Sequence, residues 1–160
     1  LINGEIDCGF LNRTNSKQFN FMPLKRDPLL CVVSKKSKLY EKEAIDIKDI
    51  EDEPIIMPSY KGTNDVLMLF EQYNVKPHIR FELFDEIGIL SMVHHELGIS
   101  ILPHLGITQL PKNVRVVPFK QESFRTIGLS TKQSLSPAAK RFVEELKHWL
   151  IENEDNLVFE

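Results

Sequence analysis

What is scarce in these 160 residues already narrows the field. There are only two cysteines, Cys8 and Cys31, and one pair cannot build the disulfide framework of a small secreted scaffold. No apolar run approaches the roughly 18 residues that a membrane span needs. No basic-then-apolar leader supports secretion, so a reducing, cytoplasmic setting is expected. Charge of one sign is not in excess: 20 Lys and Arg against 23 Asp and Glu leave a net charge of −3. A domain that neutralises phosphates is basic overall or carries a basic face, which disfavours direct nucleic-acid binding. Seven glycines and nine prolines, with 42% hydrophobic and 27% charged residues, exclude a collagen-like repeat, a disordered tail and a low-complexity linker. There is no internal repeat, no G-x-G-x-x-G, no P-loop and no H-E-x-x-H. What remains is one or two small domains, long enough for a sizeable core.

The segments present alternate in type. Leu1-Ile2-Asn3-Gly4 reads as the end of a helix, with Asn3 or Gly4 as the left-handed cap, so the chain is expected to begin inside a larger fold. Ile6 to Leu11 reads as a largely buried strand, and Phe19 to Leu24 as a strand broken by Pro23. Lys25-Arg26-Asp27-Pro28 is a charged break, because Pro28 keeps Asp27 out of the helical region. Leu29 to Val33 and Pro54 to Pro58 are apolar runs of buried-strand length, with a short helix near Ile47 to Ile50 between them. Val66, Leu69, Phe70 and Tyr73 recur at helical spacing, with Thr63 or Asn64 as the N-cap. His78 to Leu83 follows as a strand. Asp85 caps a helix over 86–97, with stripe Ile89, Leu90, Val93 and Leu97, which Gly98 closes.

Further strands are expected over 99–102, 114–119 and 126–130, and a short helix over 105–110. Ser136-Pro137 starts a last helix whose buried face is Ala139, Phe142, Val143, Leu146, Trp149 and Leu150. The acidic tail after Ile151 is expected to fray. Short buried strands alternating with amphipathic helices predict α/β units with mainly parallel strands. In such sheets ligands bind at the carboxyl ends of strands.

Each chemical motif has a plain structural reading beside it. His94-His95-Glu96 has metal-binding residue types, but neighbours on a helix diverge in direction, so a helix surface is preferred. Cys8 and Cys31 fall in predicted strands and read as inert thiols rather than a redox pair. Lys35, Lys36 and Lys38 read as a solvated turn. Asn12-Arg13-Thr14 matches a glycosylation sequon that has no meaning in a cytosolic protein. No Ser, His and acid set stands in a strand-turn-helix context. The turns 59–63 and 84–86 each run from a strand end into a helix start, where exposed amides could hold an anion. Asp65, Asp85 and Glu86 stand at the same turns, so two well-capped helices explain them as well as a ligand site does.

A family resemblance adds to this. Gly4-Glu5-Ile6-Asp7-Cys8-Gly9-Phe10, Pro23-Leu24-Lys25-Arg26-Asp27 and Leu29-Leu30-Cys31-Val32-Val33 open an ordered set. Asp49-Ile50-Glu51-Asp52-Glu53-Pro54-Ile55-Ile56 and the block from Met92 to Pro103, with its helix-Gly-strand-Pro pattern, continue it. Leu135-Ser136-Pro137-Ala138-Ala139-Lys140-Arg141-Phe142 closes it. Taken in order, the set resembles the effector-binding domain of LysR-type transcriptional regulators.

The resemblance implies an α/β fold of two Rossmann-like subdomains with a central cleft, periplasmic-binding-protein type II-like. Subdomain I would comprise 1–25 and 119–160, without its N-terminal part, and subdomain II 26–118, with crossovers near 24–28 and 117–120. A partial subdomain I is expected to expose a sheet edge and apolar surface. The implied function is ligand sensing for a bacterial transcription regulator, not catalysis, with no cofactor and no metal. By position in the motif, the effector would meet Leu11, Asn12 and Arg13, then Pro58, Ser59, Tyr60 and Lys61, then Phe84 and Asp85. Its partners would be a small-molecule effector and a homodimer or homotetramer. DNA would be reached only through a winged helix-turn-helix that these residues do not contain, and no membrane is involved. The stretch 59–70 has no cysteine where peroxide-sensing members carry their redox pair, which rejects that mechanism.

Arg13 and Lys61 suit a carboxylate while Asp85 and Glu86 suit an amine or hydroxyl, so the ligand class stays open. The alternatives are a stand-alone solute-binding protein of similar fold, a small α/β enzyme using Asp85 or Glu86, and a dimerisation module.

Overall fold

The prolines expected to break the chain near its start do not break it. In the computed structural model, which describes residues 1, 3, 5–13, 18–59 and 64–153, one 16-residue strand, Phe19–Ser34, runs through both Pro23 and Pro28. Proline fixes φ at a value that extended backbone accepts and only removes a donor. Both prolines are exposed. The charged run is equally regular, because Asp27 is fully buried and bonded to Arg125 across 2.8 Å.

This long strand passes through two compact units. One is split in sequence, Leu1–Asp27 with Arg125–Glu160; the other is continuous, Pro28–Phe124. In chain order the strands are β1 (Cys8–Asn12), β2 (Phe19–Ser34), β3 (Pro54–Pro58), β4 (His78–Leu83), β5 (Ser100–Pro103), β6 (Val114–Val117) and β7 (Phe124–Lys132). The helices are α1 (Asp65–Gln72), α2 (Glu86–His94) and α3 (Pro137–Glu152), with single 3-10 turns at Ile47–Ile50 and His104–Gly106. The helix expected over 105–110 is thus only that second turn.

In the continuous unit β2 pairs antiparallel with β5 and with β6, while β3 and β4 run parallel from Pro54↔His78 to Pro58↔Leu83. The parallel pairing expected from the sequence holds for β3 and β4 and for the parallel bridges Ile55↔Ile99 and Ile45↔Phe119, but not for β2, which meets β5 and β6 antiparallel. The other named ladders are antiparallel. Alternation along each strand feeds two cores. Cys31, Val33, Ile55, Met57 and Ile101 join Val66, Leu69 and Phe70 of α1 in one. Val32, Ile56 and Leu102 join Ile89, Leu90 and Val93 of α2 in the other. Strands buried on both faces are apolar throughout, which is why 29–33 and 54–58 read as unbroken hydrophobic runs. Ser100 is fully buried yet satisfied, its Oγ donating to the Ile56 carbonyl at 2.7 Å.

Helix α2 stops before the expected Gly98. Glu96 takes the left-handed conformation, φ 62°. Its N–H donates to Val93 O at 3.0 Å and that of Leu97 to Met92 O at 3.1 Å, the paired bonds of a Schellman cap. Gly98 is needed for a different reason: a Cβ there would collide with the Pro54 carbonyl oxygen. Helix α1 ends the same way on Asn74, φ 53°, with Asn74 N–H to Glu71 O and Val75 N–H to Phe70 O at 3.1 and 3.0 Å.

In the split unit β1 pairs antiparallel with β7, from Cys8↔Thr131 to Asn12↔Ile127, and β7 lies between β1 and β2. Helix α3 opens as expected, the Ala139 N–H donating to Ser136 Oγ at 3.3 Å and Pro137 in its first turn. Two expectations of burial fail here. Phe10 and Leu11 of β1 are 55% and 42% exposed, and on α3 only Ala139 is buried, Phe142 and Trp149 being 44% and 51% exposed. Phe10 and Phe142 meet edge to face at 6.4 Å, but a strand edge and one helix leave most of both rings uncovered. Among the described residues no helix is long and apolar enough to cross a membrane.

Candidate functional site

The parallel pair β3 and β4 sends two chain segments out at one end. The Ser59 N–H donates to Leu83 O at 2.7 Å, so the ladder continues one residue past Pro58. Beyond it, Ser59 leads toward α1 and Phe84-Asp85 lead into α2. Each helix is capped by its own polar residue. Asn64 Oδ1 accepts the Val66 and Leu67 amides at 3.0 and 3.2 Å, while its Nδ2 donates to Pro58 O at 2.8 Å. Asp85 accepts the Ile87 and Gly88 amides at 3.3 and 2.9 Å, one on each carboxylate oxygen. Two helix N-termini thus open at the carboxyl end of the same parallel pair, the place where α/β sheets bind ligands.

Of the residues expected to line an effector site, Pro58, Ser59, Phe84 and Asp85 come together here. Pro58 is buried, Ser59 half-buried, Asp85 exposed and Phe84 71% exposed. Tyr60 and Lys61 lie outside the described residues. Leu11, Asn12 and Arg13 follow one another at the end of β1 in the split unit, where the Arg13 N–H donates to Thr126 O at 2.9 Å. The Arg13 side chain is exposed and meets no acid among the described residues.

Asp85 reads differently in three dimensions. Its carboxylate is committed to α2, which removes it as a free acid facing a ligand. Asn64, not singled out as a site residue, does more than cap: it ties the α1 start to the last carbonyl of β3. The signal was an Asn directly before a helical stripe, which sequence reading assigned to capping alone.

Other readings of single motifs resolve as structure. His94 Nδ1 bonds to the Lys112 carbonyl at 2.9 Å, and its ring meets His95 edge to face at 5.1 Å. Lys36 and Lys38 are exposed but paired, with Glu96 at 3.1 Å and Glu53 at 2.8 Å. Glu53 holds the Lys38 ammonium above the ordinary lysine range, by hydrogen bond first and by charge second. Cys31 is fully buried, and desolvation drives its thiol far above the ordinary range, so it is inert at neutral pH. An apolar groove of about 330 Å³ runs along α2, lined by Ile87, Leu90 and His94 with Leu110 and Pro111. The sequence hinted at it only through Ile87, which stands off the buried stripe and is 76% exposed.

Comparison with known proteins bears on what such a site does. Residues 1–151 match the family model described as LysR substrate binding domain. The malolactic fermentation system transcriptional activator of Lactococcus lactis is 28% identical over 156 residues, which cover 92% of this chain and 54% of that protein. An uncharacterised HTH-type regulator of Bacillus subtilis, YvbU, is 26% identical over 146 residues, 89% of this chain and 50% of that one. The chain spans about half the length of the curated relatives it matches.

Among solved structures, the effector-binding domain of QuiR in complex with shikimate superposes with a TM-score of 0.75 at 25% identity, over 90% of this chain and 71% of that one. The BenM effector-binding domain with its effector benzoate gives 0.78 at 20% identity, over 95% and 72%.

Proposed function

The chain belongs to the LysR substrate-binding domain family, and from that premise we propose that it senses a small-molecule effector on behalf of a bacterial transcription regulator. The fold supports this: it is the periplasmic-binding-protein type II-like fold of LysR effector-binding domains. The observation that carries the reading is the family match over 1–151, joined to a site at the carboxyl ends of β3 and β4. The relatives named above are transcriptional regulators, which favours sensing over catalysis and over a stand-alone solute carrier. On this reading the domain works in the cytoplasm as a homodimer or homotetramer, and DNA contacts belong to another part of the full-length regulator. On the same reading, subdomain I is 1–25 with 119–160 and subdomain II is 26–118, a division favoured by the split of the chain into Leu1–Asp27 with Arg125–Glu160 and Pro28–Phe124.

The effector contacts we propose are Leu11, Asn12 and Arg13 of the split unit and Pro58, Ser59, Tyr60, Lys61, Phe84 and Asp85 of the continuous unit. With the Asp85 carboxylate engaged by the Ile87 and Gly88 amides, one of the two acids that opposed a carboxylate ligand is committed to the helix start, while the Arg13 side chain is exposed. That favours a small organic acid, as does the shikimate bound by one structural neighbour. Binding alters transcription only as far as affinity differs between conformations of the regulator.

A thermal-shift screen tests this, with shikimate and a panel of small carboxylates set against amines of matched size. A true effector at 100 times its dissociation constant adds about 2.7 kcal/mol, or a rise of roughly 5–10 °C. Ser59→Ala and Asn12→Ala should each abolish most of that rise. A rise that survives both changes puts the effector elsewhere.

A further inference from the structure

A second polar hollow lies at the end of β2, within the continuous unit. Strand β2 runs antiparallel to β5, and β5 runs parallel to β3 at the Ile55↔Ile99 bridge. Ser34, the last residue of β2, therefore stands at the amino ends of β3 and β5, opposite the carboxyl end from which Ser59 leads away. Two adjoining cavities of about 250 and 510 Å³ open there, and Ser34, Lys36 and Glu96 line both. Their walls are tied together. The Lys35 N–H donates to Asn113 O at 2.7 Å. His94 Nδ1, which carries the proton because its partner is a carbonyl, donates to Lys112 O at 2.9 Å.

Ser34 is only 7% exposed. Alternation from Val32, which joins the α2 core, turns its side chain toward the α2 side of the sheet and so into this hollow. Its hydroxyl has no hydrogen-bond partner among the described residues, whereas the likewise buried Ser100 donates to Ile56 O. A buried hydroxyl is costly unless something accepts from it. The charges nearby leave a positive surplus. Glu96 is taken by Lys36 at 3.1 Å and Glu53 by Lys38 at 2.8 Å, and the Lys35 ammonium meets no acid among the described residues. The end of α2 adds little negative charge, since its Schellman bonds use the Met92 and Val93 carbonyls. A free donor beside a surplus cation suits an anion with several oxygens. We propose that this hollow binds a phosphoryl group, as inorganic phosphate or as a phosphate monoester, with Ser34 Oγ donating to one oxygen and Lys35 and Lys36 neutralising the others. Lys36 then leaves Glu96 for the ligand. The site is distinct from the effector contacts proposed above and does not rest on them.

The probe is inorganic phosphate, titrated into the protein at constant ionic strength made up with sodium chloride and followed by amide NMR shifts. Saturable shifts should be confined to 34–37, 96–99 and 113. Ser34→Ala should weaken binding about tenfold. Lys35→Gln, at an exposed position, should weaken it about fivefold, and it decides the matter should Ser34→Ala fail to fold. Glu96→Gln frees Lys36 and should tighten binding about twofold. Glycerol phosphate binding more tightly than inorganic phosphate identifies a phosphorylated metabolite as the occupant, and the reverse order identifies free phosphate. Shifts that do not saturate, or that acetate reproduces at equal concentration, overturn the proposal. So does an affinity unchanged by both Ser34→Ala and Lys35→Gln. Shifts at 13, 59 and 85 in place of those at 34–37 overturn it as well, since they assign phosphate to the effector contacts.

Discussion

The two units use the same sequence grammar and finish with different interiors. On α1 of the continuous unit Val66, Leu69 and Phe70 are 1–4% exposed; on α3 of the split unit Phe142 and Trp149, spaced just as regularly, are about half exposed. The cause lies in what each helix meets. In the continuous unit β3 and β5 are buried on both faces, so α1 and α2 each close over an apolar sheet. In the split unit β1 pairs with β7 alone and leaves its other edge unpaired among the described residues. Apolar periodicity reports that a helix has a face to cover; it carries no information on how much of that face its own chain can cover. An exposed strand edge beside exposed aromatics is the usual mark of a surface that adheres to other chains.

The sharpest way to break this comparison is to remove one ring from each unit. Phe70→Ala empties a fully enclosed site and should cost about 3–5 kcal/mol. Phe142→Ala takes away a ring that water already reaches, and its cost should stay below roughly 1 kcal/mol. Equal losses in urea unfolding would mean that Phe142 is buried in solution by something the isolated fold does not show.

The same contrast separates what was legible in the sequence from what was not. The buried runs 29–33 and 54–58, the α1 stripe, the Asp85 cap and the Ser136-Pro137 start of α3 were all readable, because each depends on neighbours within a few residues. The errors were matters of context. Pro23 and Pro28 looked like breaks because a proline's missing donor matters only where a partner strand needs it, and no local pattern tells whether one does. Asp27 looked like part of a charged break because its partner lies at Arg125. Gly98 looked like a helix cap because the carbonyl of Pro54 that forbids a side chain there is remote in sequence. For the candidate site, strand ends and helix starts could be located, since turns announce themselves. The commitment of Asp85 to capping, and the tie from Asn64 back to Pro58, required the geometry.

Caps sharpen the comparison on a smaller scale. Helices α1 and α2 both end in Schellman motifs, but the left-handed residue is Asn74 in one and Glu96 in the other. Asparagine tolerates that conformation, whereas a glutamate costs about 1 kcal/mol there. Glu96 also pairs with Lys36 at 3.1 Å, between side chains 43% and 79% exposed, and an ion pair so open to water is worth little. Glu96→Gly should therefore raise the urea midpoint by the equivalent of roughly 0.5–1 kcal/mol, and Asn74→Gly by no more than a few tenths. A loss on Glu96→Gly would show that the Lys36 pair outweighs backbone strain.

The smallest effect concerns one aspartate in each unit. Asp7, in the split unit, is held below the ordinary aspartate range first by the hydroxyl of Ser136, the α3 cap, and then by Lys132 at 3.0 Å. Asp46, in the continuous unit, is lowered first by the Lys48 amide at the start of its 3-10 turn and then by Gln121. Both carboxylates are more easily ionised folded than unfolded. The stability they contribute is complete above the unfolded aspartate pKa, and it is lost as pH falls through the lower folded value. Carboxyl carbon shifts followed by NMR should show both titrating low. Ser136→Ala should then move Asp7 back up and leave Asp46 where it was, since no group of the continuous unit is among the causes of the Asp7 shift. If Asp7 stays low without the Ser136 hydroxyl, attraction to Lys132 holds it instead, and its titration should then respond to salt more strongly than that of Asp46, whose first cause is an amide hydrogen bond.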